Sequence, residues 1–235
     1  MQPSADIPVS GVHWPRASRI VATRHPPIDL FEDIAEPEDW DAINIGEGAT
    51  NARLMEAAGQ LQLVPAARRV SGPGASQVMA PFTHVSPEWA GRFHTGLFGA
   101  YYAANRFETA VAETAYHRAR FYRASGERPG WFCQFRELIG EIRCDFADIR
   151  DVMRFADYLQ PDDYRPSQQL AVTLRDSGSN GVVYPSVRDA GGECIAAFWP
   201  DCVGIPITAR LLSYHFDGER IDIVRDDSSR QLYRP

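Results

Sequence analysis

The residues with the most chemical reach in this chain are Arg92, the pair Tyr101 and Tyr102, and Glu113. All lie in the segment GRFHTGLFGAYYAANRFETAVAETAYHRARFY from Gly91 to Tyr122. A guanidinium fork, an aromatic face and a carboxylate on one strand–turn–helix unit suit the cleavage of a charged glycoside. The fork holds an anionic group, and the carboxylate stabilises positive charge building on the sugar. Each residue alone has a plainer reading. A single arginine is most often solvated or ion-paired, and a lone glutamate on a helix usually faces water. Adjacent tyrosines on a strand point to opposite faces, so one of the two belongs to the core. The order and spacing of the set favour chemistry.

Positioning these side chains takes a strand and a helix. Residues Gly96 to Ala104 are apolar and aromatic and read as a buried strand that ends at Asn105. Phe107, Ala110, Val111, Thr114, Ala115, Phe121 and Tyr122 then recur at three- and four-residue steps, one apolar face of a helix. Asn105 followed by Glu108 resembles a capping box with Asn105 as N-cap. At roughly 100° per residue, Glu113 falls about 120° from the centre of the apolar stripe. That sets it at the rim of a cleft beside the tyrosines.

Together with GVVYPSVRDAGGECIAAFW from Gly181 to Trp199, this segment resembles the RES domain, a family named for an arginine, a glutamate and a serine. Its members serve as toxins of bacterial toxin–antitoxin pairs. Arg92 in Gly-Arg-Phe matches the family arginine, Tyr102 the tyrosine of the aromatic run, Glu113 in Ala-Glu-Thr the glutamate, and Ser186 in Tyr-Pro-Ser the serine. Arg19 in Ser-Arg-Ile matches a further arginine near the N-terminal edge. Tyr102 follows Arg92 by ten positions and Glu113 follows Tyr102 by eleven, the intervals of the family. The resemblance runs from Arg19 to about Val203. It departs at Phe93, where the family often has Trp, and in an interval from Arg19 to Arg92 longer than in compact members.

The resemblance implies a fold similar to diphtheria-toxin-type ADP-ribosyltransferases and an activity that breaks the nicotinamide–ribose bond of NAD, which is substrate rather than resident cofactor. Family members pass the ADP-ribosyl group to water or phosphate, and one branch modifies a protein, phosphoribosyl pyrophosphate synthetase. The long N-terminal interval favours a host protein as acceptor here. The roles implied are a catalytic carboxylate in Glu113, diphosphate forks in Arg92 and Arg19, and an aromatic face for the cationic nicotinamide ring in Tyr102. Ser186 is expected to donate one hydrogen bond to the nicotinamide amide or a ribose hydroxyl. The implied partner is a helix-turn-helix antitoxin. A binding module for that antitoxin with a degenerate cleft is a second reading, and retention of all four family residues speaks against it. A hydrolase with paired carboxylates fits less well, because nothing near Glu113 singles out a second acid.

Composition agrees with a compact globular enzyme. The chain has 235 residues, 44% of them hydrophobic, enough for a core of one domain with an N-terminal extension. Its net charge of −7 argues against a broad basic surface for nucleic acid or anionic membranes. No apolar run approaches the roughly 20 residues of a membrane span, and the N-terminus lacks the regions of a signal peptide, so a cytoplasmic location is expected. Cys133, Cys144, Cys194 and Cys202 show no C-x-x-C spacing and read as buried free thiols rather than zinc ligands or disulfides. None of the six histidines has metal-ligand spacing, so no metal is expected. His117, one helical turn beyond Glu113, can reach it.

Elsewhere, Met1 to Arg16 reads as a loose arm, Arg19 to Ala22 as a short strand, and Glu38 to Gly59 as mostly helical. Ser71 to Ser76 is a glycine-rich turn without the lysine of a P-loop. Ser167 is expected to cap a helix running to about Arg175, followed by a strand from Val182 to Tyr184. Asp217-Gly218 marks a tight hairpin. Strands interspersed with helices, without regular β-α-β alternation, predict an α+β fold of mixed or antiparallel sheet with flanking helices. Residues 1–75 are expected to form an extension packed on a core of residues 76–235.

Overall fold

A computed structural model describes residues 7–22, 59–87 and 90–235 of the chain. Its strands are β1 (Val9–Ala22), β2 (Tyr101–Ala104), β3 (Gly130–Asp148), β4 (Gly181–Pro185), β5 (Glu193–Ala197), β6 (Ile207–Phe216), β7 (Ile221–Asp226) and β8 (Leu232–Tyr233). The α-helices among the described residues are α1 (Ala75–Thr83), α2 (Phe107–Ala124) and α3 (Arg165–Asp176). The strands form one sheet in the order β1-β2-β5-β4-β3-β6-β7-β8, and β1 also pairs with β3, so the first five strands close a circuit of pairings. β3 makes this possible by its length. One edge carries β1 from Ala147 to Phe135, while the other is shared between β6 and, in parallel, the start of β4. The fold is therefore α+β with a mixed sheet.

Both faces of the central strands are covered. On β4, Val182 and Tyr184 join a core that includes α2 and α3, while Val183 joins a second core with α1; on β5, Cys194 and Ala196 divide from Ile195 and Ala197 in the same way. That double burial explains why these strands read as unbroken apolar runs rather than alternating ones. Each fully buried Val or Ile stabilises the sheet by roughly 1.5–3 kcal/mol.

Several expectations are corrected. The loose arm expected up to Arg16 is strand from Val9 onward. β1 shifts register between Trp14 and Ala17, where Pro15 has no N–H to donate to the ladder. The strand expected from Gly96 begins only at Tyr101; Phe98 and Ala100 are buried without being paired, and Phe98 meets Phe198 edge-on at 5.7 Å. The capping box does not form. Asn105 extends the β2–β5 ladder, its N–H donating to Glu193 O at 2.9 Å and its Oδ1 accepting from Glu193 N at 3.1 Å. α2 consequently starts at Phe107 behind an Arg106 N-cap with no side-chain cap bond. α3 has Tyr164 as N-cap, and Ser167 lies within the helix. The hairpin between β6 and β7 forms around Asp217, whose carboxylate accepts the Glu219 and Arg220 N–H groups, with Gly218 at φ 111°. The helix expected over 38–59 lies outside the described residues, apart from Gly59.

Candidate active site

α2 carries Glu113 on the wall of a cleft of about 910 Å³, near the upper end of the ~300–1,000 Å³ range of ligand pockets. Its apolar stripe of Phe107, Ala110, Val111, Ala115, Ala119 and Tyr122 is buried, whereas Phe121, expected on the same face, is exposed and lines the cleft; Glu113 stands beside the stripe with its side chain 20% exposed. Ser186, at the end of β4, donates its hydroxyl proton to Glu113 Oε1 at 2.6 Å. The serine oxygen in turn accepts the backbone N–H groups of Arg188 at 3.1 Å and Asp189 at 3.0 Å. This short charge-assisted bond points the carboxylate, and the tight turn after β4 points the serine. The expected donor to ligand is thus a donor to Glu113, because a hydroxyl has one proton to give.

Alternation on β2 sends the two tyrosines apart. Tyr101 is buried in the second core, while Tyr102 lines the cleft. The Tyr102 hydroxyl accepts the Phe93 N–H at 2.9 Å and lies 2.9 Å from His94 Nδ1. Burial pushes its pKa up, so it remains a phenol across the working range. The loop from Gly91 to His94 closes with Gly91 N donating to His94 O at 3.0 Å. A Cβ on Gly91 would lie 2.3 Å from His94 Cε1 and 2.9 Å from the Tyr102 hydroxyl, so the residue before Arg92 has no room for a side chain. Phe93 is fully buried, with its ring 4.8 Å from that of Tyr184, and so anchors the loop.

Arg92 is held from the far side of the cleft. Its Nη1 donates to Gln160 O at 2.7 Å and Tyr158 O at 3.3 Å, and its guanidinium lies 4.5 Å from the Tyr164 ring centroid. α3 fixes the backbone beneath: Ser167 Oγ donates to Arg92 O at 2.8 Å and Gln168 Nε2 to Gly91 O at 2.9 Å. Arg19, on β1, reaches the same cleft over the ring of Tyr101 and donates from Nη1 to Tyr102 O at 2.9 Å. Its Nε is buried and has no hydrogen-bond partner among the described residues. Burial lowers its pKa. A guanidinium on a cleft wall with hydrogen-bonding capacity left over has the chemistry to receive an anionic oxygen.

The cleft is cationic in an acidic chain. Arg19, Arg92, Arg118, Arg120 and Arg165 line it against Glu113, Asp162 and Asp163, whereas the whole chain carries −7. His117 Nε2 lies 4.0 Å from Glu113 Oε2. Although half of its side chain is exposed, desolvation by the surrounding cleft, then the charges of Arg188, Arg92, Arg120 and Arg118, push its pKa down to about 4, so the imidazole is neutral at pH 7. The arrangement can hold an anion, offer an aromatic face and present one oriented carboxylate to a developing cation.

All five sequence candidates are close to this cleft: Arg19, Arg92, Tyr102 and Glu113 line it, and Ser186 backs Glu113. Sequence reading passed over His94, Tyr164 and Gln168. His94 follows Arg92 in the same loop, which is a local signal; Tyr164 and Gln168 arrive from about 70 positions away and carry none.

A family model described as RES domain matches residues 66–217, which include Arg92, Tyr102, Glu113 and Ser186 but not Arg19. The uncharacterized protein y4oC of Sinorhizobium fredii is 26% identical over 221 residues, covering 91% of this chain and 89% of that protein. The crystal structure of the M. tuberculosis MbcT-MbcA toxin-antitoxin complex aligns at 11% identity over 88% of this chain and 87% of that chain, with a TM-score of 0.43.

Proposed function

Since the chain belongs to the RES domain family, we propose that it is the toxin of a toxin–antitoxin pair, an enzyme that cleaves the nicotinamide–ribose bond of NAD and transfers ADP-ribose. The observation that carries this reading is the Glu113 carboxylate, held at 2.6 Å by Ser186 on the wall of an arginine-rich cleft. In the reaction the C1′–N bond breaks and nicotinamide leaves with the bonding pair as a neutral ring, so no general acid is required. Glu113 hydrogen-bonds a ribose hydroxyl and faces the oxocarbenium-like centre. Arg92 and Arg19 take the diphosphate, and Tyr102 offers its face to the cationic ring, an attraction of about 0.5–2 kcal/mol.

The test is incubation with NAD and detection of free nicotinamide, with Glu113→Gln as the control. A carboxylate opposite a developing cation contributes on the order of 3–4 kcal/mol, so the variant should turn over roughly 10²–10³ times more slowly. No nicotinamide from the unaltered protein, or equal turnover in the variant, rejects the reading.

For the acceptor we propose a host protein, on the strength of the long segment between Arg19 and Arg92. Mass spectrometry of host proteins after induction should find an ADP-ribosyl adduct; free ADP-ribose or its phosphate as sole product would assign water or phosphate instead. For the partner we propose a helix-turn-helix antitoxin that inserts a terminal segment into the cleft around Arg92, Tyr102 and Glu113. Binding and inhibition are then one event, and full activity in a saturated complex would contradict occlusion.

A further inference from the structure

A second reactive feature lies at the other core. The bridge between Ile142 and Val203, with Gly204 N donating to Glu141 O at 2.8 Å, lays the segment after residues Pro200–Cys202 antiparallel beside β3. This places Cys144 Sγ 2.9 Å from Cys202 Sγ, although the two residues are 58 positions apart. Both are free thiols. The separation is under an ångström longer than the roughly 2.05 Å of a disulfide, so the sulfurs need move little to reach bonding distance.

We propose that Cys144 and Cys202 form a redox-active dithiol that closes to a disulfide with a hydroperoxide as the oxidant, Cys144 acting as the attacking sulfur and Cys202 as the resolving one. The asymmetry of the pair sets these roles. Cys144 is half-buried and reachable, whereas Cys202 is 2% exposed. The hydrogen bond shared with the Cys202 thiol lowers the Cys144 pKa, outweighing burial and the Asp201 charge, which raise it, while the Asp145 backbone and the Arg68 charge also lower it. The same contact raises that of Cys202, and burial adds to it. Arg68 is fixed nearby by an ion pair with Asp201 at 3.3 Å and by a hydrogen bond to Asn180 Oδ1 at 2.9 Å. Cys194, by contrast, is buried, and its thiol is pushed up by burial and by the charge of Glu113.

The chemistry balances in two steps. The Cys144 thiolate attacks the terminal oxygen of the hydroperoxide: an S–O bond forms, the O–O bond breaks, and the leaving oxygen takes the thiol proton and departs as alcohol or water. Cys202 sulfur then attacks Cys144 sulfur: the S–S bond forms, the S–O bond breaks, and hydroxide leaves with the Cys202 proton as water. Two thiols lose two electrons and the hydroperoxide gains two. The resulting bond ties β3 to the turn after β5 and encloses β4, which Ser186 directly follows.

The experiment treats the full-length protein with stoichiometric hydrogen peroxide and measures intact mass, then maps peptides without reduction. A loss of two hydrogens and a Cys144–Cys202 cross-linked peptide, both reversed by dithiothreitol, are expected. The oxidised form should melt about 5–15 °C higher. Cys202→Ser should leave a sulfenic acid on Cys144 that dimedone traps, and Cys144→Ser should abolish both products. A cross-link through Cys133 or Cys194, added oxygens without any cross-link, or dimedone on a cysteine other than Cys144 would overturn the proposal. None of these readouts depends on NAD, so the outcome is separate from that of the proposed function.

Discussion

Replacing Ser186 by alanine distinguishes a residue that orients the carboxylate from one that binds ligand. In the structure the Ser186 hydroxyl makes three bonds: it donates to Glu113 Oε1 at 2.6 Å and accepts from the N–H groups of Arg188 and Asp189. A hydrogen bond to a charged group is worth about 1.5–3 kcal/mol. If that energy serves to hold Glu113 in its productive orientation, its loss appears in the transition state and lowers kcat roughly 10–150-fold. The KM for NAD should change little, because the proton was never available to the nicotinamide amide or ribose. Initial-rate kinetics of nicotinamide release over a range of NAD concentrations measures both constants. The turn also loses an acceptor for two N–H groups, so a thermal melt is needed beside the kinetics to confirm that the variant is folded. A raised KM with unchanged kcat would show that Ser186 binds substrate directly and would refute the orienting role.

Arg92→Lys should weaken NAD binding measurably in a calorimetric titration although the charge is kept, because an ammonium cannot stack flat on Tyr164 while bonding two carbonyls and a phosphate; equal affinity would make Arg92 a structural residue. Gly91→Ala should cost about 1–3 kcal/mol, seen as a fall of some 2–12 °C in Tm, because the added Cβ meets His94 and the Tyr102 hydroxyl; an unchanged melt would mean the loop shifts freely. His117 should titrate near pH 4 by NMR rather than near its ordinary 6.5. Because the folded state then binds its proton less readily than the unfolded chain, the neutral imidazole supports folding above about pH 6.5. That support is lost as pH falls through 4, and His117→Gln should flatten the loss.

Local patterns carried much of the architecture. The apolar stripe of α2 and the position of Glu113 beside it follow from 3.6-residue periodicity, and the opposite fates of Tyr101 and Tyr102 follow from two-residue alternation. Both express bond geometry within a few residues, so they are written in adjacent letters. The Asp217-Gly218 hairpin is legible for the same reason. Asn105 shows where this ends: its letter and that of Glu108 spell a capping box, but pairing with Glu193, 88 positions on, engages its N–H and its Oδ1 and delays the helix. The Ser186–Glu113 bond, the carbonyls of Tyr158 and Gln160 beneath Arg92, and the meeting of Cys144 with Cys202 likewise join residues tens of positions apart. Such contacts form because strand pairing and the packing of helices and turns on the sheet bring distant segments together, and that depends on the fold as a whole, leaving no periodicity in the chain from which it could be read.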